Sequence, residues 1–131
     1  MDLPGQAARA GRVGGLSTYD LGRVGFLGVH GTVEVDGADV RVHIGPFFRA
    51  DVPRDSIELV HVVKPSILAG FGVHHWKGVW LVNGRRGPAV ELLLHTRVKG
   101  SMLGIPVGIR RLQLGVGDPA ALAAELQPPT N

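Results

Sequence analysis

The sequence predicts a mainly β domain that ends in one short helix. Apolar and polar residues alternate with a period of two over much of the stretch between residues 30 and 116, which is typical of half-buried strands. Turns that contain glycine or proline divide this stretch into short segments. An alanine-rich segment over residues 119–127 follows. We therefore expect six or seven antiparallel strands that curl into a small barrel or curved sheet, with the helix closing one open end.

The clearest strand signal lies over residues 32–44, where valines alternate with polar residues. Asp36-Gly37 in the middle favours a tight hairpin turn, because both residue types tolerate a positive φ. A two-residue loop at this point would set Glu34 opposite Asp39, an unfavourable pair of like charges. The alternative is a loop that is longer by one or two residues. The hairpin is expected in either case.

The remaining elements follow from the same alternation and from the turn residues. Strands are predicted over residues 48–52, 57–63, 76–83, 88–96 and 109–116. Gly84 to Gly87 form a tight turn, so 88–96 is expected to return beside 76–83. Residues 66–75 form an ambiguous connection and residues 98–106 a loop. Residues 1–20 are glycine-rich, with little periodicity in the first 18, which predicts a flexible tail before a domain over residues 21–127.

The helix has a clear starting signal. Asp118 can accept hydrogen bonds from free N–H groups of the first turn, and Pro119 suits the first helical position. Leu122 and Leu126 are four residues apart and therefore share one face. Two helical turns are not stable alone in water, so this amphipathic helix is expected to dock on the sheet.

Length and composition exclude several classes of protein. The chain has 131 residues, which suits one domain. It has no cysteine, which excludes a disulfide framework, a thiolate metal cluster and a cysteine nucleophile. No apolar stretch approaches the ~20 residues that a transmembrane helix needs. The N-terminus also lacks the apolar core of ~7–15 residues that a secretory signal needs. We expect a cytoplasmic protein with no transmembrane segment.

No catalytic, metal-binding or cofactor-binding motif is recognisable. The six histidines do not show the His-x₃-His spacing of local zinc sites, and the adjacent His74 and His75 would point to opposite faces of a strand. No serine lies in a Gly-x-Ser-x-Gly turn, and no glycine-rich phosphate loop is present. We therefore expect no catalytic residues, no metal and no cofactor. With seven aromatic residues and no recognition helix, there is no clear signal for nucleic-acid binding.

Positive charge is concentrated between residues 77 and 111. Seven basic residues and one acidic residue lie there. If consecutive strands alternate in direction, the start of 76–83, the end of 88–96 and the start of 109–116 lie at one end of the sheet. Five cations, which we call the basic rim, then come together near His75, Trp76 and His95: Lys77, Arg97, Lys99, Arg110 and Arg111. Such a rim can attract a phosphate, an acidic protein or an anionic membrane surface, whereas the alternative is that it only keeps the surface solvated.

Three stretches resemble a known fold family. They are GTVEVDGADVRVHIGPFFRADVPRDSI (31–57), GVHHWKGVWLVNG (72–84) and RRLQLGVGDPAALAAEL (110–126). With the order of elements, they resemble the pleckstrin-homology-like (PH-like) domains, and in particular a group of small bacterial PH-like proteins of the actinobacterial type. The resemblance implies a PH-like barrel of about seven antiparallel strands capped by an amphipathic helix. Many PH-like domains bind phosphoinositides through a basic first hairpin loop, but here that loop, residues 36–39, is acidic.

These observations favour a non-catalytic PH-like interaction module. Its expected partner is an acidic protein or an anionic ligand at the basic rim, contacted also by His75 and Trp76. One alternative is a small β-barrel enzyme that uses His75 and His95 as acid and base. Another is a structural or assembly subunit that forms homo-oligomers through exposed apolar strand faces. Trp76 and Trp80 suit either the core or a surface on which a ligand stacks.

Overall fold

The structure is a computed structural model that describes residues 11–13, 15–24, 29–64, 72–76, 78–83 and 87–128. Within these ranges it contains ten strands and one α-helix. The strands are β1 (Gly11–Val13), β2 (Leu16–Val24), β3 (Val29–Val35), β4 (Asp39–Ile44), β5 (Phe48–Pro53), β6 (Ile57–Val63), β7 (Gly72–Trp76), β8 (Val79–Asn83), β9 (Ala89–Met102) and β10 (Ile105–Gly115). A short 3₁₀ turn (Arg54–Ser56) joins β5 to β6, and helix α1 (Pro119–Leu126) follows β10.

All ten strands belong to one curled sheet. Its order is β1-β2-β3-β4-β5-β9-β10-β8-β7, and β6 pairs with the first half of β9. The curl brings β2 against β8, and the N–H of Gly117 donates to the carbonyl of Asp20 at 2.9 Å. The apolar faces of the strands and of α1 form one core. The predicted fold class is confirmed: the protein is mainly β, with a barrel-like curled sheet and a single C-terminal helix.

The neighbour of β8 differs from the prediction. β8 pairs in parallel with β10, with Val79 opposite Arg111, and β9 lies on the other side of β10. Because β9 and β10 are antiparallel, β8 still runs opposite to β9. The strand ends that the sequence places together therefore do lie at the same end of the sheet.

The predicted loop over residues 98–106 is a paired arm of β9 and β10. The chain turns at Leu103 and Gly104, and Met102 lies opposite Ile105. The strands continue because alternate residues of the arm, Val98 and Met102 among them, pack against the core. A Cβ added at Gly100 would lie 2.6 Å from Cδ1 of Ile109, so glycine there permits close packing of the arm.

The first two strands lie largely within the predicted flexible tail, residues 1–20. Ser17 and Tyr19 of β2 are buried, and their hydroxyl groups donate to the carboxylate of Glu125 on α1 at 2.9 and 2.6 Å. Residues more than one hundred positions apart make these contacts, so local alternation could not reveal them. The domain therefore includes residues before 21, and residues 1–10 lie outside the described ranges.

The first hairpin adopts the longer of the two predicted loops. Val35 lies opposite Val40, and Glu34 therefore lies opposite Arg41 instead of Asp39. The carboxylate of Asp36 accepts hydrogen bonds of 2.7 Å from the N–H groups of Asp39 and residue 38 and from the guanidinium of Arg41. These bonds, the backbone ones first, lower the pKa of Asp36 to about 2. The acidic loop is thus held by its own contacts.

Helix α1 docks on the sheet, as the sequence predicts. The side chain of Asp118 accepts a hydrogen bond of 3.1 Å from the N–H three residues later, which confirms the predicted cap. Leu122 and Leu126 are buried in the core, and the helix packs on β6 and β9. At the other end, the guanidinium of Arg54 donates to the carbonyl of Glu125 at 2.6 Å. The helix is therefore fixed at both ends.

We expect Leu122→Ala to lower the free energy of unfolding by about 2–5 kcal/mol, since it removes a fully buried side chain and leaves a cavity. Urea denaturation followed by circular dichroism measures the change. Ala124→Ser on the exposed side of the same helix is the matched control and should change stability by about 0.5 kcal/mol or less. An unchanged urea midpoint for Leu122→Ala would contradict the docking of α1.

Candidate functional site

An open cleft lies where β7 and β8 meet the arm formed by β9 and β10. Its volume is about 510 Å³, which falls within the range of pockets for small ligands. The cleft is lined by His75, Gly78, Trp80, Arg97, Val107, Gly108 and Arg110. It therefore combines two cationic side chains, two aromatic rings and one aliphatic residue.

Trp80 forms the fixed wall of the cleft. Its indole Nε1 donates to the carbonyl of Gly108 at 3.2 Å, and its ring lies 5.9 Å from that of Phe48 in the core. The exposed ring of His75 stacks on it, with centroids 4.3 Å apart and planes inclined by 14°. Trp80 is thus a core residue that also supports a surface ring. The hydrogen bond and the contact with Phe48 fix Trp80, and His75 packs against it.

Arg97 lies across the backbone of Gly108. A Cβ added at Gly108 would be 2.3 Å from Cδ of Arg97, so the arginine stem occupies the space that a side chain would take. The register between β9 and β10 shifts just beyond Ile109, which indicates a bulge next to Arg97. Bulges turn side chains away from regular alternation. The missing side chain at Gly108 and the nearby bulge together define where Arg97 lies.

Arg110 is held by its Nε, which donates to the carbonyl of Leu94 at 3.3 Å. Both Arg97 and Arg110 are exposed. Within the described ranges, neither guanidinium forms an ion pair with a carboxylate. Two positive groups without a described anionic partner therefore line one cleft.

The other members of the predicted basic rim do not line the cleft. Arg111 lies just beyond the register shift of β10, and its Nε donates to the carboxylate of Glu91 at 2.9 Å instead of lining the cleft. Lys99 is exposed and lies opposite Gly108 in the arm. Lys77 and the side chain of Trp76 lie outside the described part of the chain. Of the predicted rim and its neighbours, Arg97, Arg110 and His75 therefore line the cleft in the described part of the chain.

His95 does not join His75 either. Its Nδ1 lies 3.9 Å from the carboxylate of Glu58, and it is absent from the described lining of the cleft. The two histidines proposed as acid and base thus lie in different surroundings.

Arg111 belongs to a separate polar cluster around Glu91, which the sequence did not reveal. Glu91 is only 3% exposed, and its Oε2 accepts hydrogen bonds from Arg111 at 2.9 Å and Gln113 at 2.6 Å. Its Oε1 lies 3.0 Å from Nε2 of His61 on β6. Burial raises the pKa of Glu91, but the hydrogen bonds from Arg111 and Gln113 outweigh burial, so the pKa is lowered. Only the strand register, which places His61, Glu91 and Gln113 side by side, identifies this cluster.

No protein-family model, curated protein or solved structure matches the chain. Within the described residues, no helix is long and apolar enough to cross a membrane. The same part of the chain contains no group of three or more histidine, aspartate or glutamate side chains that could hold a metal ion.

We expect Arg111→Gln to lower the free energy of unfolding at neutral pH by about 1–3 kcal/mol, because it leaves the buried carboxylate of Glu91 with fewer donors. Arg110→Gln is the matched control: it removes the neighbouring guanidinium, which lines the cleft and donates to the carbonyl of Leu94, and its effect should be within about 0.5 kcal/mol. Thermal or urea unfolding compares the two variants. Equal stability losses would contradict a structural role for Arg111.

The effect of Arg111→Gln should depend on pH. The folded-state pKa of Glu91 lies below its ordinary value of 4.5, so ionised Glu91 stabilises the fold above that value. This stabilisation is lost as the pH falls through the folded-state pKa. The stability difference between the wild type and Arg111→Gln should therefore narrow below pH 4.5. Urea unfolding over this range measures the difference, and a difference that widens on acidification would refute the assignment.

Proposed function

We propose that this protein is a non-catalytic, PH-like binding module that takes an anionic ligand in the cleft of Arg97, Arg110 and His75. The observation that carries the proposal is the pair of exposed guanidinium groups beside the ring stack of His75 and Trp80. The ligand carries a carboxylate or phosphate group, either as a small molecule or on an acidic protein.

The two arginines supply the recognition of charge. A guanidinium is planar and presents a fork of N–H donors that matches two oxygens of a carboxylate or phosphate. Charge-assisted hydrogen bonds of this kind are stronger than neutral ones. Because Arg97 lies across Gly108 and Arg110 is tied to the carbonyl of Leu94, less side-chain freedom is lost on binding. The cleft is therefore partly organised for an anion.

The aromatic wall supplies a second criterion. Trp80 and His75 form a preformed stack, and Val107 adds an aliphatic surface. A planar or apolar group attached to the anion can pack there and bury surface from water. Aryl phosphates and aryl carboxylates meet both criteria, whereas inorganic phosphate meets only the first. The preferred ligand class is an anion with an aromatic or apolar group attached.

The two alternative functions have less support. A histidine acid–base pair requires convergence on one substrate, but His95 lies beside Glu58, away from the described cleft lining. An assembly role would use exposed apolar residues such as Leu59 and Val62 of β6. That role stays a prediction, and light scattering on the purified protein tests it directly.

Titration with phenyl phosphate tests the proposal. We expect binding by isothermal calorimetry, and Arg97→Gln or Arg110→Gln should raise Kd by about tenfold or more, since each removes a charge-assisted hydrogen bond. Arg49→Gln, an exposed arginine outside the cleft, is the matched control and should leave Kd within about twofold. Inorganic phosphate should bind more weakly than phenyl phosphate.

Gly108→Ala provides a second variant that keeps both charges. The new Cβ would displace the stem of Arg97, so affinity should fall while Arg97 and Arg110 remain. The proposal is wrong if phenyl phosphate does not bind, or if the three cleft variants bind it as well as Arg49→Gln does.

A further inference from the structure

The end of the arm exposes two large apolar side chains. We call residues 102–105, where β9 turns into β10, the hairpin tip. Leu103 is 62% exposed and Ile105 is 65% exposed, more than any other large hydrophobic residue in the described ranges. Both lie at the turn that ends the arm, where most of each side chain is exposed.

The backbone of the hairpin tip also departs from the usual choice of turn residues. Leu103 has φ +53° and Gly104 has φ +79°, so both turn residues are left-handed. Such turns favour asparagine, aspartate and glycine, whereas a leucine is strained there. Leu103 is the one non-glycine residue with positive φ in the described part of the chain. Its N–H donates to the carbonyl of Phe47 at 2.7 Å, which fixes the turn in place. Leu103 thus has a strained backbone and an apolar side chain that is mostly exposed to water. Because neither feature stabilises the fold, we expect the side chain to contact another molecule.

Basic residues lie behind the apolar end. Arg49 of β5 is opposite Ser101, two residues from Leu103, and Lys99 is four residues from Leu103. At a rise of ~3.4 Å per residue, these positions are about 7 and 14 Å from the turn. Both side chains are exposed. Asp51 lies 3.5 Å from Arg49 and partly neutralises it, whereas Lys99 forms no ion pair within the described residues.

We propose that the hairpin tip inserts into the interface of an anionic lipid bilayer. Leu103 and Ile105 enter the boundary between headgroups and acyl chains, ~5–10 Å deep, and Lys99 and Arg49 contact the phosphates above it. The order of an apolar end followed by cations matches the order of layers at a bilayer surface. This docking uses a different surface from the ligand cleft and does not depend on the proposed function.

A lipid surface suits the hairpin tip better than a protein pocket does. A stable protein interface buries ~800 Å² on each partner, far more than two side chains at the end of a turn can supply. A bilayer needs no shape complementarity, and it offers repeated anions to cations placed at different heights along the arm. The combination of a small apolar end and spaced cations therefore favours a bilayer.

Co-sedimentation with lipid vesicles tests the proposal. The protein should bind vesicles of phosphatidylcholine mixed with phosphatidylglycerol, and it should bind weakly or not at all to phosphatidylcholine alone. Binding should decrease as salt is added, since the headgroup contacts are electrostatic. Lys99→Gln should weaken binding by roughly fivefold. A basic residue near an anionic surface contributes about 1 kcal/mol of attraction, which corresponds to that factor in affinity.

The double variant Leu103→Asn, Ile105→Thr isolates the apolar contribution. Asparagine adopts the left-handed conformation readily and threonine suits a strand, so the variant should fold with an unchanged or higher melting temperature. We expect its affinity for the mixed vesicles to fall by about tenfold or more. Leu59→Asn, at an exposed leucine of β6, is the matched control and should bind like the wild type.

Failure of the proposal is distinct from failure of the ligand cleft. The membrane proposal is wrong if the wild type does not bind the mixed vesicles, or if the folded double variant binds them as well as the wild type does. Gly108→Ala should retain vesicle binding even though it disturbs the cleft. Vesicle binding without phenyl phosphate binding would therefore overturn only the cleft, and the reverse result would overturn only the membrane proposal.

Discussion

The structure depends on the pairing of one long strand, β9. Its fourteen residues pair with β6 along the first half, with β5 at the end and with β10 along most of its length. A flat strand could not pair with β5, β6 and β10 at once. The register shift near Ile109 allows the second half of β9 to bend away from the first half. The same bulge lies beside Arg97. The register shift between the two halves of β9 therefore also contributes to the shape of the cleft.

Much of the fold follows from the alternation of the sequence, because a residue's face depends only on its position along a strand. The valines of the first hairpin and the cap at Asp118 needed no tertiary information. The order of the strands in the sheet did need tertiary information. For β8, alternation indicated a strand but not that β10 would lie between β8 and β9. The first hairpin adopts a four-residue loop, which the hydrogen bonds of Asp36 hold in place. With Arg41 opposite Glu34, two like charges no longer face each other.

The candidate site was predicted in part, because strand direction follows from the sequence whereas strand register does not. The alternating direction of the predicted strands was enough to place Arg97, Arg110 and His75 at one end of the sheet. This placement holds in the structure because β8 still runs opposite to β9, although β10 lies between them. Alternation could not separate Arg111 from Arg110, because the register shift between β9 and β10 falls at these residues, and Ile109 and Leu112 on either side are both buried. Glu91 is different. Its three partners come from strands whose register no local pattern contains, so its burial as an ionised group could not be foreseen.

The arm departs from local sequence preferences in two places, and each lies at a proposed contact surface. Glycine at position 108 weakens a strand, yet it makes the room that the stem of Arg97 occupies. Leucine at position 103 strains a turn, yet it places an apolar group at the far end of the arm. By contrast, the first hairpin satisfies its turn through Asp36 and exposes no large apolar residue there. The stability of the fold is therefore enough to explain the residues of the first hairpin. For the arm, the local choices make physical sense once an outside anion and an outside apolar phase are included.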